Sequence, residues 1–155
     1  MLQIAGEAPL EISQVLSALI GACFGSLGWL FVGLYINRRT GLSAARNAAR
    51  AVYFELALNR ANVELAQTYG EFLPLSRSAY EQLLPQLANL LGVSDLSAVA
   101  AAYMSHIGYE QMRQSREHPD EARAAALQGI LSAQQVAIAR LKERAFTAEE
   151  RSQLS

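Results

Sequence analysis

ISQVLSALIGACFGSLGWLFVGLYIN, residues 12–37, is a run of twenty-six residues without a charge, closed by Arg38 and Arg39. A bilayer core of ~30 Å is crossed by roughly 20 apolar residues rising about 1.5 Å each, so the run can span with some tilt. No second run of this kind follows. The reading is one N-terminal transmembrane helix over 12–37, with a short extracytoplasmic lead over 1–11 and a helical domain over 38–155.

Two rivals compete with this reading. One is the central buried helix of a soluble bundle, favoured by Ser13, Gln14, Ser17, Ser26 and Asn37. Serines can return a hydrogen bond to their own helix, however, and Gln14 and Asn37 lie near the ends. Four glycines, Gly21, Gly25, Gly28 and Gly33, would weaken a soluble helix by ~1 kcal/mol each, whereas glycine is common in membrane helices. The other rival, a cleaved signal peptide, lacks its signs. Glu7 and Glu11 precede the run with no basic residue, and no A-x-A site ends it.

Charge sets the expected orientation. All thirteen Lys and Arg residues lie at or after position 38, and Arg38, Arg39, Arg46 and Arg50 precede Glu55. By the positive-inside rule the amino terminus is outside a bacterial plasma membrane and the C-terminal domain is cytoplasmic. The same four arginines form a membrane-surface basic cluster suited to anionic headgroups. Tyr35 falls at the inner headgroup level, and Trp29 sits deeper.

One face of the run is small: Gln14, Ala18, Gly21, Gly25, Gly28 and Val32 recur at steps of four and three. Gly21 and Gly25 make a G-x-x-x-G, which lets two helix backbones approach where no hydrophobic effect acts between helices. The expected partners are therefore the lipid bilayer and either other membrane subunits or a second copy.

The remaining 118 residues suffice for one modest core. Thirteen basic against twelve acidic residues leave that region at +1, which calls for no nucleic acid. Cys23 is the sole cysteine, so neither an intrachain disulfide nor a thiolate metal cluster is open to the chain. One Lys against twelve Arg, with abundant Ala and Leu, suits a GC-rich bacterial genome.

Helical periodicity runs from Leu42 to about Thr68. Leu42, Ala45, Ala49, Val52, Leu56, Asn59, Val63 and Ala66 form one stripe, flanked by Phe54, Leu58, Ala61 and Leu65. An apolar face this wide suits a helix packed on two neighbours. The phase also joins the anchor through Gly21, Gly28, Tyr35 and Leu42, so the two predict one rod, with Thr40 and Gly41 as the place where it could break. Asn59 admits two roles: a register or oligomer device shared with Glu55, or an Asn bonded to a nearby loop or helix end.

Residues 70–78 (GEFLPLSRS) read as a connector ended by Ser78 and Glu81 at capping-box spacing. A helix over 79–91 should follow, interrupted by Pro85 and stopped at Gly92. The next helix, 96–115, should face inward through Val99, Ala100, Tyr103, Met104 and Ile107. A turn at 117–121 leads to a helix over 120–146 through Leu127, Ile130, Leu131, Val136, Ile138, Leu141 and Phe146. Thr147 and Glu150 repeat the capping spacing for a short final turn. The expected fold class is all-α: the anchor, continuous with a bundle of about four helices.

No catalytic, metal or cofactor constellation stands out. Neither His106 nor His118 has a Glu three residues before it, so di-iron spacing is missing. His106 and Glu110 fit a solvated pair one turn apart, no serine lies in a G-x-S-x-G, and the glycines of the run follow no strand. YFELALNRAN (53–62), SAYEQLLPQLANL and AAYMSHIG together resemble uncharacterised bacterial single-pass membrane proteins. In those proteins one anchor precedes a small helical domain whose first helix carries E-x-x-x-N, matched here by Glu55 and Asn59. The resemblance implies that architecture and no activity. The expected function is an accessory or scaffold subunit of a membrane complex; the alternative is a signalling or regulatory module working across Thr40 and Gly41.

Overall fold

A computed structural model of the chain describes residues 12–114 and 120–154; between 12 and 31 it describes the backbone and, of the side chains, that of Trp29. Among the described residues there are five helices and no strand: α1 (Ile12–Tyr69), α2 (Ser78–Leu90), α3 (Val93–Gln114), α4 (Asp120–Ala145) and α5 (Ala148–Gln153). None of these described helices is long and apolar enough to cross a membrane. Most side chains of the run 12–37 lie outside the described residues, as do those of Ala18, Gly21, Gly25 and Gly28.

The chain divides into two compact units at Thr40 and Gly41, within the length of α1. Helical bonding is unbroken there. In the first unit, Thr40 caps no fresh start: its hydroxyl donates to the carbonyls of Ile36 and Asn37, both at 3.0 Å.

The second unit, Gly41–Ser155, is a helical bundle with two apolar clusters. The first gathers Val52 and Leu56 of α1, Leu87 of α2, Val99 and Tyr103 of α3, and Ala137 and Leu141 of α4. The second gathers Val63 of α1, Tyr109 and Met112 of α3, and Leu127 and Ile130 of α4, with Phe72 and Leu75 of the connector packed on it. Between them in order along the three helices come Asn59, His106 and Gln134, all buried. A polar layer thus divides the core.

Helix ends follow local chemistry. Gly70, at φ +73°, ends α1 in the left-handed region, and its N–H donates to the Ala66 carbonyl at 3.0 Å. Gly92 does not play that part for α2. Leu91 turns the chain in an extended conformation, and the Gly92 carbonyl accepts from Leu96 N at 2.9 Å, so this glycine opens α3. Thr147 and Glu150 make a full capping box for α5.

Three inward expectations are corrected by burial. Met104 is 61% exposed, and Ile107 and Val136 also face out. The buried stripe of α3 runs instead through Asp95, Val99, Tyr103, His106, Tyr109 and Met112. Its polar members enter the core because they find partners there; Tyr109 donates to the Leu73 carbonyl at 2.9 Å. Leu42 is exposed too. Of the flank expected to pack on a second neighbour, Leu58 is 61% exposed, and Phe54, 56% exposed, touches Phe146 and Tyr53 edge-on.

Candidate functional site

The densest set of polar side chains lies where α1 meets the start of α2. Glu55, one turn before Asn59, accepts five hydrogen bonds. Oε2 takes the Ser76 hydroxyl at 2.7 Å, the Ser78 hydroxyl at 3.2 Å and Ala79 N at 2.9 Å. Oε1 takes the Tyr103 hydroxyl at 2.6 Å and Tyr80 N at 3.3 Å. A carboxylate offers about four lone-pair sites, so Glu55 is saturated.

Two of these donors, Ala79 N and Tyr80 N, are the second and third backbone N–H groups of α2, which its own N-cap, Arg77, leaves without a side-chain partner. Glu55 therefore caps α2 from a different helix, placing a negative charge at a helix N-terminus. The expected capping box of Ser78 and Glu81 is displaced for this reason. Ser78 turns to Glu55, and Glu81 lies 3.4 Å from Arg77.

Asn59 completes the clamp. Its Nδ2 donates to the Ser76 carbonyl at 2.7 Å, and its Oδ1 accepts from Ser76 N at 2.8 Å. Of the two roles open to Asn59, the structure places it against a loop of its own chain. Glu55 and Asn59 thus meet at Ser76, which neither could reach without the α1–α2 turn of chain.

Electrostatics follow the geometry. Burial raises the Glu55 pKa, but the bonds from Tyr103, Ala79, Ser76 and Tyr80 outweigh it, and the carboxyl sits below its ordinary value. Burial, then the bond to Glu55, raises the Tyr103 phenol. Tyr80 stacks on Tyr103 at 4.2 Å between ring centres. His106 lies edge-on to Tyr103 and meets Gln134 Nε2 through its own Nε2 at 3.1 Å. Burial first, then the charge of Arg77, lowers His106 to about 4. It is neutral at pH 7.

Nothing in this set resembles a working acid or base. Glu55 has no lone pair to spare, and Tyr103 and His106 are covered by packed side chains. Glu110 faces away to Arg113, at 2.8 Å. Among the described residues no group of three or more His, Cys, Asp or Glu could hold a metal.

The basic residues divide into two kinds. Arg50 is engaged within the bundle: Nε donates to the Ala145 carbonyl at 3.1 Å, and Nη2 reaches both carboxylate oxygens of Glu150 at 2.7 and 2.8 Å. Its guanidinium also lies over the Phe146 ring. Arg38, Arg39 and Arg46 have no hydrogen bond or ion pair among the described residues, and all three are exposed. Sequence reasoning grouped the four because it saw spacing only. Spacing offered Ser94 or Asp95 as the cap of the next helix and gave no sign of the partners of Asp95, whose buried carboxylate meets Arg144 at 2.9 Å and Arg140 at 3.8 Å, tying the start of α3 to the end of α4. Of the small face, Val32 is the residue whose side chain is described, and it is exposed.

No family model, curated protein or solved structure matches the chain.

Proposed function

We propose that the chain is a membrane-anchored accessory subunit whose bundle assembles with an apolar helix of a partner protein. The single observation that carries the assembly is an uncovered seam on α1. Ala51, Phe54, Leu58, Ala61 and Leu65 are all exposed and recur at steps of three, four, three and four. That is the a/d spacing by which one helix receives another along its length. Phe54 rests edge-on against Tyr53 and Phe146 at the rim of the core, and the core itself is filled by the opposite side of the helix, so Leu58 and Leu65 stay open to a partner.

The anchor is supported by the sequence. Twenty-six uncharged residues closed by two arginines are long enough to span, and the arginine-rich side is then cytoplasmic. The glycine face at Gly21, Gly25 and Gly28 would extend assembly into the bilayer.

The test is purification of the full chain from its native membrane in mild detergent, with mass spectrometry of what accompanies it. A different protein at fixed ratio, lost on Leu58→Lys, is the expected result. The chain running alone as a defined oligomer would make it a self-assembling scaffold instead. A monomer in every detergent, or recovery in the soluble fraction after carbonate extraction, overturns the assembly or the anchor respectively.

A further inference from the structure

Three arginines, two one turn apart on α1 and one on α4, line one cavity. Arg46 and Arg50 of α1, Glu143, Arg144 and Ala145 of α4, and Phe146 and Thr147 beyond it enclose about 210 Å³. Two of the guanidiniums are held from one side. Arg50 is fixed through Nε and Nη2 by the Ala145 carbonyl and Glu150, and Arg144 through Nε by Asp95. Neither Nη1 of Arg50 nor either Nη of Arg144 has a hydrogen bond among the described residues. Arg46 has no partner among them at all, although it lines the same space.

The charges of Glu150 and Asp95 offset two of the arginines, and Glu143 adds a third carboxylate to the lining. What distinguishes the cavity is that three guanidiniums, two of them tied to carboxylates, line one space larger than a tetrahedral anion. Fixed guanidinium forks match the spacing of phosphate oxygens and lose little entropy on binding. Thr147 adds a hydroxyl whose oxygen already accepts from Glu150 N, leaving its proton to donate.

We propose that this cavity binds a phosphate-bearing anion of headgroup size, with Arg50 and Arg144 as its preset donors and Arg46 as the arm that closes on it. The site goes beyond the assembly reading and does not depend on it. Its chemistry is shared by a lipid headgroup and a small soluble phosphoester.

Equilibrium dialysis of the full chain in non-ionic detergent, with inorganic phosphate and with glycerol phosphate as probes, tests the proposal. Native mass spectrometry with short-chain phosphatidylglycerol forms the second arm. Binding is expected to weaken about tenfold in Arg46→Ala, which removes one charge-assisted contact and no structural one. Arg113→Ala, which removes a surface pair with Glu110 outside the cavity, should leave it unaltered. Phosphatidylglycerol held at least tenfold tighter than glycerol phosphate would identify a lipid source; equal affinities would identify a soluble one. No binding of any of these probes, or binding that Arg46→Ala leaves intact, overturns the site. Arg144→Gln, checked for folding by circular dichroism, should weaken the same probes. Failure here is separable from failure of assembly, because Leu58→Lys removes the partner and leaves phosphate binding unchanged.

Discussion

At the scale of single residues, Glu55 stands out among the described polar groups, because five donors depend on one carboxylate. Glu55→Gln keeps the shape but turns one acceptor into a donor facing hydroxyl and N–H groups. It should destabilise the fold by roughly 2 kcal/mol in urea denaturation, against little effect at an exposed Glu such as Glu64. The two shifted groups also predict how stability depends on pH. Glu55 is lowered, so its contribution is present above the unfolded value of 4.5 and is lost as pH falls below it. His106 is also lowered, to about 4 from 6.5, so the unfolded chain binds its proton first. Its contribution is complete above pH 6.5 and declines down to about 4. His106→Asn should flatten the stability profile across that window and leave the steeper acid limb in place. An unchanged profile would mean that His106 is reached by water in the fold.

At the scale of elements, caps decide where each helix begins and ends. Gly70→Ala meets no neighbour within 4 Å, so its cost is that of the φ of +73° alone, about 1 kcal/mol. Gly70→Asn should cost less, since Asn tolerates this region. A thermal melt separates the two. Gly41 is the opposite case: it lies inside α1 with open space around its Cα, and Gly41→Ala should stabilise by about 0.5–1 kcal/mol. If stiffening there also changes a cellular output, the signalling alternative gains support. Arg50 binds both the last carbonyl of α4 and an acid of α5. Arg50→Ala should therefore lower the thermal midpoint by more than Glu150→Gln, which leaves the carbonyl contact in place.

At the scale of the whole bundle, α1 has two apolar faces with different uses. Leu56 is fully buried in the first cluster, and Leu58, two residues on, is largely exposed. Leu56→Ala should cost about 2–4 kcal/mol in urea denaturation, and Leu58→Ala less than about 0.5 kcal/mol. Equal costs would mean that the seam packs against the chain itself and is not open to a partner. The buried layer of Asn59, His106 and Gln134 separates the two clusters, with Asn59 bonded to Ser76 of the connector and Gln134 meeting His106.

The residues alone determined the class, the number of helices and most of their limits, because those depend on local spacing, glycine, proline and caps. The core stripe through Val52, Leu56, Val63, Leu127 and Leu141 was legible from period alone. The capping box at Thr147 and Glu150 was legible because both partners lie within one turn. Which polar residues beyond Asn59 and Tyr103 enter the core was not. His106 and Gln134 are inside, and Met104, Ile107 and Val136 outside: the two polar side chains meet through their Nε2 atoms, which offsets part of their burial while His106 Nδ1 and Gln134 Oε1 have no bond among the described residues, and period carries no record of that partner. The same holds for Glu55 and Arg50. Each serves a helix end far away in sequence, Arg50 to Ala145 and Glu55 to Ala79, and only tertiary structure brings those ends within reach. Local chemistry settled where helices start and stop, and the folded bundle decided which side chains complete them.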